Sequence, residues 1–302
     1  MTGRLVDGAA WSSALGEEVR YRAWVPAVRD GERCATAYLL HGRGDDLEGW
    51  SRVVPRLEEL VDRGLVPPLV AVVPDAPWSG RGSWYVDSRF TGAPAGRPVE
   101  TALVRDLVSH VDATYPTAAD RSHRLVGGCS MGGAGALSLL LRHPGVFAGG
   151  LVLSPAVYDP LPPAHSSART SGAFGRGDDR FVEEVYAAHT VEGLLAGYAR
   201  AGDLPVRLFL AVGEDEWRNP LPQDARHDLD RVAAAVHDRV RRADGVSSRL
   251  VVLPGGHGWD VWEPAFAAGL PHLLAALAPG CAGAEPHEGR RGPSHQGPCR
   301  CR

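Results

Sequence analysis

Apolar positions along the chain fall into short runs separated by longer amphipathic stretches. Runs of β type occur at Ala35–Leu40, Leu69–Val73, Arg124–Val126, Gly150–Leu153, Val206–Val212 and Leu250–Leu253. Helical spacing fills the intervals at Ser51–Asp62, Val99–Ala113, Gly133–Arg142, Gln223–Arg242 and Pro264–Ala278. In the second of these, Val99, Leu103, Leu107 and Val111 recur every four residues and lay an apolar stripe along one face. Strands that are almost wholly apolar and alternate with helices predict a mostly parallel sheet covered on both faces, an α/β fold. Open sheets of this kind keep their sites in the loops at the carboxyl ends of the strands.

Two stretches break the alternation. Residues 154–204 exceed the usual loop length and are rich in Gly, Pro and Ser, so they are expected to form a cap-like insertion outside the core. Residues 279–302 carry Gly, Pro, Arg and His without apolar periodicity and are expected to be a disordered tail. One domain over 1–278 remains.

Composition narrows the chemistry. All 32 basic side chains counted as Lys+Arg are arginine; lysine and isoleucine are absent, and Asn219 is the single asparagine. Schiff-base chemistry, the lysine-bearing phosphate loop and a Ser-Lys nucleophile pair are thereby excluded. The formal net charge of −4 gives no basic surface for nucleic acid or an anionic membrane. No apolar run reaches the roughly 18 residues of a membrane span. Nor does an apolar core of the secretory type follow Met1, so a cytoplasmic location is expected. The five cysteines are Cys34, Cys129, Cys281, Cys299 and Cys301, an odd set that predicts no disulfide framework. Cys299 and Cys301 with His287 and His295 match no zinc-module spacing, and no metal or cofactor is expected.

The strongest local signal is Gly128-Cys129-Ser130-Met131-Gly132-Gly133, between an apolar run and a helical one. A sharp strand-to-helix turn of this composition lifts a serine hydroxyl above the sheet and aims the next backbone N–H at a substrate. The hydroxyl needs a base, and the base needs an orienting carboxylate, expected in the chain order Ser, acid, His. His257 follows a strand within Pro254-Gly255-Gly256-His257-Gly258-Trp259 and is the candidate base. The acid falls in Gly213-Glu214-Asp215-Glu216-Trp217, where the usual spacing selects Glu216, with Asp215 as the alternative. An oxyanion hole would use the backbone N–H groups of Met131 and of Arg43, in the turn Leu39-Leu40-His41-Gly42-Arg43-Gly44. Cys129 is expected to point into the sheet, and His41 to be a hydrogen-bonded support. Trp50, Trp84, Asp87, Trp259 and Trp262 lie near motif ends and are substrate-binding candidates, since indole faces stack on acyl groups or exclude water.

Six segments together resemble the esterase family of α/β-hydrolases, which includes esterase D, S-formylglutathione hydrolase, enterochelin esterase and the antigen 85 mycolyltransferases. They are HGRGDDLEGW (41–50), VVPDAPWSGRGSWYVDS (72–88), VETALVRDLVSHVDATYP (99–116), GGCSMGGAGAL (127–137), VGEDEW (212–217) and GGHGWDVW (255–262). The resemblance spans most of 35–278 in order. It implies an α/β-hydrolase fold, Ser130 as nucleophile, His257 as base and an acid within VGEDEW. Glu216 departs from the Asp of many relatives. The function expected is a serine hydrolase acting on a small-molecule carboxylic ester. Acyl transfer to an alcohol or sugar, and a non-catalytic binding module, are the alternatives.

Overall fold

Burial decides which segments become the central strands. A computed structural model describes residues 3–75, 82–164, 166–202, 204–218 and 228–277, the side chains of 276 and 277 excepted. Its strands are β1 (Gly3–Ser12), β2 (Glu17–Pro26), β3 (Ala35–Leu40), β4 (Leu69–Pro74), β5 (Arg89–Phe90), β6 (Arg124–Cys129), β7 (Gly149–Leu153), β8 (Arg176–Gly177), β9 (Val206–Gly213) and β10 (Val246–Leu253). Eight of them form one sheet in the order β1-β2-β4-β3-β6-β7-β9-β10. From β4 to β10 every neighbouring pair is parallel, whereas β2 runs antiparallel to both β1 and β4. Every residue of β3, β4, β6 and β7 is buried, which accounts for their near-continuous apolar runs.

Alternate residues of each strand serve two cores. Tyr38, Leu40, Val126, Val152 and Leu210 pack with the helices at 99–114, 131–142 and 191–200. Leu39, Leu125, Leu153 and Phe209 pack on the opposite face with the helices at 54–62 and 259–277.

The helix at 99–114 explains its own spacing. Residues four apart drift by roughly 40° on an ideal helix. Here Ala102–Leu107 is π-helical between the α-helical turns Val99–Thr101 and Val108–Thr114. The wider i→i+5 turn cancels the drift, and Val99, Leu103, Leu107 and Val111 are all buried.

Several expectations are corrected. The sheet has two more strands than the six predicted: β1 and β2 carry polar residues at intervals, and β1, at the sheet edge, exposes Leu5 and Trp11. The last helix begins at Trp259, five residues before the predicted Pro264, and the helix predicted from Gln223 is described as Leu229–Val240. Residues 154–204 hold the short helices Ser167–Thr170, Glu183–Ala187 and Val191–Arg200, with β8 paired to β5. This segment does contribute core: Phe174, Tyr186 and Tyr198 are buried, because a few aromatic rings bury much area however polar the residues between them. The segment 279–302, with Cys281, Cys299, Cys301, His287 and His295, lies outside the described residues. Among the described residues no helix is long and apolar enough to cross a membrane.

Candidate active site

Ser130 stands between β6 and the helix Met131–Arg142, with φ 56° and ψ −118°. This backbone region is sparsely populated by residues with a side chain, so the surroundings must hold it. The Ser130 N–H donates to the Leu153 carbonyl at 2.9 Å, and the Ser130 carbonyl accepts from Ala134 and Ala156 at 3.0 and 3.1 Å. Close approach explains the flanking glycines. A Cβ on Gly128 would lie 2.2 Å from the Gly132 carbonyl oxygen, and one on Gly132 would lie 2.2 Å from that of Leu40. Cys129 turns into the sheet, where burial pushes its thiol far above its ordinary range and keeps it protonated.

His257 occupies the loop between β10 and the helix Trp259–Leu277. That loop is zipped to the one after β9: Glu214 N–H donates to Leu253 O and Asp215 N–H to Gly255 O, each at 2.9 Å. The strand pairing of β9 with β10 thus continues into the loops and brings acid and base together. His257 Nε2 lies 2.9 Å from Ser130 Oγ, and Nδ1 lies 2.6 Å from Glu216 Oε2. An ionised carboxylate only accepts, so Nδ1 carries the proton and Nε2 presents its lone pair to the Ser130 hydroxyl. Glu216 has 0% exposure, and its other oxygen accepts from Ser154 Oγ at 2.5 Å and Gly213 N–H at 3.2 Å. Asp215 points elsewhere, toward Arg218 at 3.4 Å. Of the two candidate acids the structure therefore brings Glu216, and not Asp215, to the imidazole.

The turn after β3 lies against the serine. A Cβ on Gly42 would be 3.7 Å from that of Ser130. His41 is buried, with Nδ1 2.8 Å from the Gly42 carbonyl and its own carbonyl accepting from Tyr85 Oη at 2.9 Å. Arg43 follows with an exposed side chain. Met131 opens the helix, whose first N–H groups have no intrahelical acceptor.

The substrate-binding candidates differ in their contacts. Trp50 is 1% exposed, donates its indole N–H to the Leu40 carbonyl at 3.0 Å, and packs in the core. It offers no face to a ligand. Asp87 is exposed, but both its oxygens are engaged by Thr101, by the backbone N–H at 2.9 Å and the hydroxyl at 2.5 Å, which ties it to the start of the helix at 99–114. Trp84 is buried against Tyr158 and Phe174 of the 154–204 segment, at ring-centre separations of 6.3 and 5.9 Å. Trp259 is half-buried, edge-on to Trp50 and Trp262, with the Arg52 guanidinium 5.0 Å above its ring. Trp262 is buried, donates to Ser154 Oγ at 2.8 Å and meets the His257 ring edge-on at 5.1 Å. Ser154 is the participant that sequence reasoning missed. Its only signal was its place at the end of an apolar run.

A mostly parallel sheet with a strained serine after a central strand, and an acid and a histidine after later strands, defines an α/β-hydrolase. Comparison with known proteins agrees. The family model described as "Putative esterase" matches residues 12–273, and the chain belongs to this esterase family. It is 25% identical over 248 residues to an acetyl esterase of Caldicellulosiruptor saccharolyticus, covering 78% of this chain and 81% of that one. It is also 25% identical over 171 residues to an endo-1,4-beta-xylanase/feruloyl esterase of Xylanibacter ruminicola, covering 52% of this chain but 22% of that much longer protein. Among solved structures, a ferulic acid esterase superimposes with a TM-score of 0.70 at 22% identity, covering 91% of this chain and 98% of the other.

Proposed function

We propose that the protein hydrolyses small carboxylic esters through an acyl-enzyme carried on Ser130. Ser130 Oγ attacks the carbonyl carbon while His257 Nε2 takes its proton, and Glu216 holds the resulting imidazolium through Nδ1. The carbonyl oxygen becomes an oxyanion facing the backbone N–H groups of Met131 and Arg43. Collapse breaks the ester C–O bond as His257 returns the proton to the departing alcohol. Water then attacks the acyl group, giving one proton to His257, and the carboxylic acid leaves with Ser130 restored. No step requires a metal or cofactor.

The observation that carries this reading is the unbroken line Ser130 Oγ, His257 Nε2, His257 Nδ1, Glu216 Oε2, with gaps of 2.9 and 2.6 Å. The acetyl and feruloyl esterases among its relatives make acetyl and feruloyl esters the first substrates to try. Residues 1–278 are assigned to one catalytic domain. Within it 154–204 is assigned as a cap, a role supported by its position between β7 and β9 and its packing on Trp84. Trp259, half-buried and two residues after His257 in the chain, is the candidate substrate contact retained.

Turnover of p-nitrophenyl acetate tests the mechanism. Ser130→Ala should lower kcat by at least about 10⁴-fold with the unfolding temperature little changed. Hydrolysis at the wild-type rate by that variant would refute it.

A further inference from the structure

Glutamate is an awkward choice for the acid. It has one more rotatable bond than aspartate, and its terminal torsion is broad, so burial alone does not fix which way the carboxylate faces. The Gly213 N–H at 3.2 Å is a long contact for that task. The short one is Ser154 Oγ at 2.5 Å.

The direction of that hydrogen bond is forced. An indole N–H can only donate and an ionised carboxylate can only accept. The Ser154 hydroxyl sits between the two, 2.8 Å from Trp262 Nε1 and 2.5 Å from Glu216 Oε1, so its lone pair faces the indole and its proton faces the carboxylate. Its backbone is held as firmly. Ser154 has 0% exposure and φ 44°, in the left-handed region that favours glycine, and its N–H donates to Ala211 O at 2.7 Å. A strained, side-chain-bearing residue persists where its surroundings over-determine it, and such positions cluster at functional sites. Trp262 meanwhile presses its ring edge-on against His257, at 5.1 Å and 87°. One side chain therefore touches the base directly and the acid through one hydroxyl.

We propose that Ser154 and Trp262 are positioning residues that lock the Glu216 carboxylate in the one orientation in which Oε2 meets His257 Nδ1. The inference rests on the reading of Ser130, His257 and Glu216 as the catalytic set. Ser154 acts on the rate through Glu216, and the Trp262 donor acts through the Ser154 hydroxyl.

The full chain provides the test, with three readouts: kcat and KM on p-nitrophenyl acetate, the rate at which a fluorophosphonate labels Ser130, and the unfolding temperature. Ser154→Ala should lower kcat by about 10- to 100-fold with KM within about twofold, the scale seen when a supporting hydrogen-bond partner is removed from a site. Trp262→Phe keeps the ring against His257 but loses the donor, and should cost about threefold to tenfold by freeing the hydroxyl to turn. The double variant should be no slower than Ser154→Ala alone, because the indole works only through the hydroxyl. Ser154→Gly suits the positive φ, so it should fold readily and show the same kinetic loss. Wild-type kcat in Ser154→Gly, or losses that multiply in the double variant, would overturn the proposal. If the wild type turns over no ester, the hydrolase reading fails separately. The labelling rates then decide the positioning role by the same ordering, and equal labelling in all variants rejects it.

Discussion

Glu216 and Asp215 are neighbours with the same chemistry and opposite surroundings. One is buried beneath the imidazole with donors on both oxygens, and the other faces Arg218 at the surface. Glu216→Gln places an amide against Nδ1, which favours the wrong imidazole tautomer, and should lower kcat on p-nitrophenyl acetate by about 10³- to 10⁴-fold. Asp215→Asn should stay within about twofold, since an exposed ion pair is worth little. Equal losses in the two variants would mean the acid is misassigned. Ser130 and His257, which the fold brings together, were legible in the sequence because each sits in a glycine-rich turn after an apolar run. The carboxylate that meets His257 was legible to within two residues, because adjacent carboxylates look alike until a loop turns one of them inward. Ser154 and Trp262 were not legible as partners: a serine and a tryptophan 108 positions apart acquire meaning only through the fold.

At the scale of elements, legibility followed burial. The strands β3, β4, β6 and β7 are buried throughout and read as apolar runs, whereas only the second half of the edge strand β10 did, since its first half holds Ser247, Ser248 and Arg249. The antiparallel pair β1 and β2 was invisible for the same reason. The 154–204 segment concealed its aromatic anchors among glycines and prolines. One tether of that segment has a pH consequence. His189 Nδ1 lies 3.3 Å from Ser138 Oγ on the helix Met131–Arg142, and its ring meets Phe174. Burial, reinforced by the nearby Arg142 charge and opposed by Glu100, holds its pKa down at about 4. Glu100 itself is buried. That alone would raise its pKa, but hydrogen bonds from His143 and Arg142 hold it below the usual carboxylate range. As pH falls from 6.5 toward 4, an unfolded His189 takes up a proton that the folded one refuses, so stability drops across that window. Glu100, lowered in the fold, adds its own loss once pH falls below the ordinary carboxyl value of 4.5. Thermal unfolding of the wild type should therefore fall more steeply between pH 6.5 and 4 than that of His189→Gln. Parallel curves would show that His189 does not titrate as the structure requires.

The whole molecule is a scaffold whose sheet delivers serine, acid and histidine from the carboxyl ends of β6, β9 and β10. Only β7 separates β6 from β9 in the sheet; it supplies Leu153 O to Ser130, and the residue after it, Ser154, meets Glu216. The parallel order was predictable from alternating runs, and so was the end of the sheet that carries the site.

The backbone of Ser130 carries a cost that the rest of the fold absorbs. A residue with a side chain at φ 56° and ψ −118° sacrifices about 1–3 kcal/mol that glycine would not. Ser130→Gly should therefore give a protein more stable than Ser130→Ala by about 1 kcal/mol, measured by denaturant unfolding, and equally inactive. Selection for a durable fold and selection for turnover pull this one position in opposite directions. A lineage released from the second would reach a sturdier, silent protein in a single substitution.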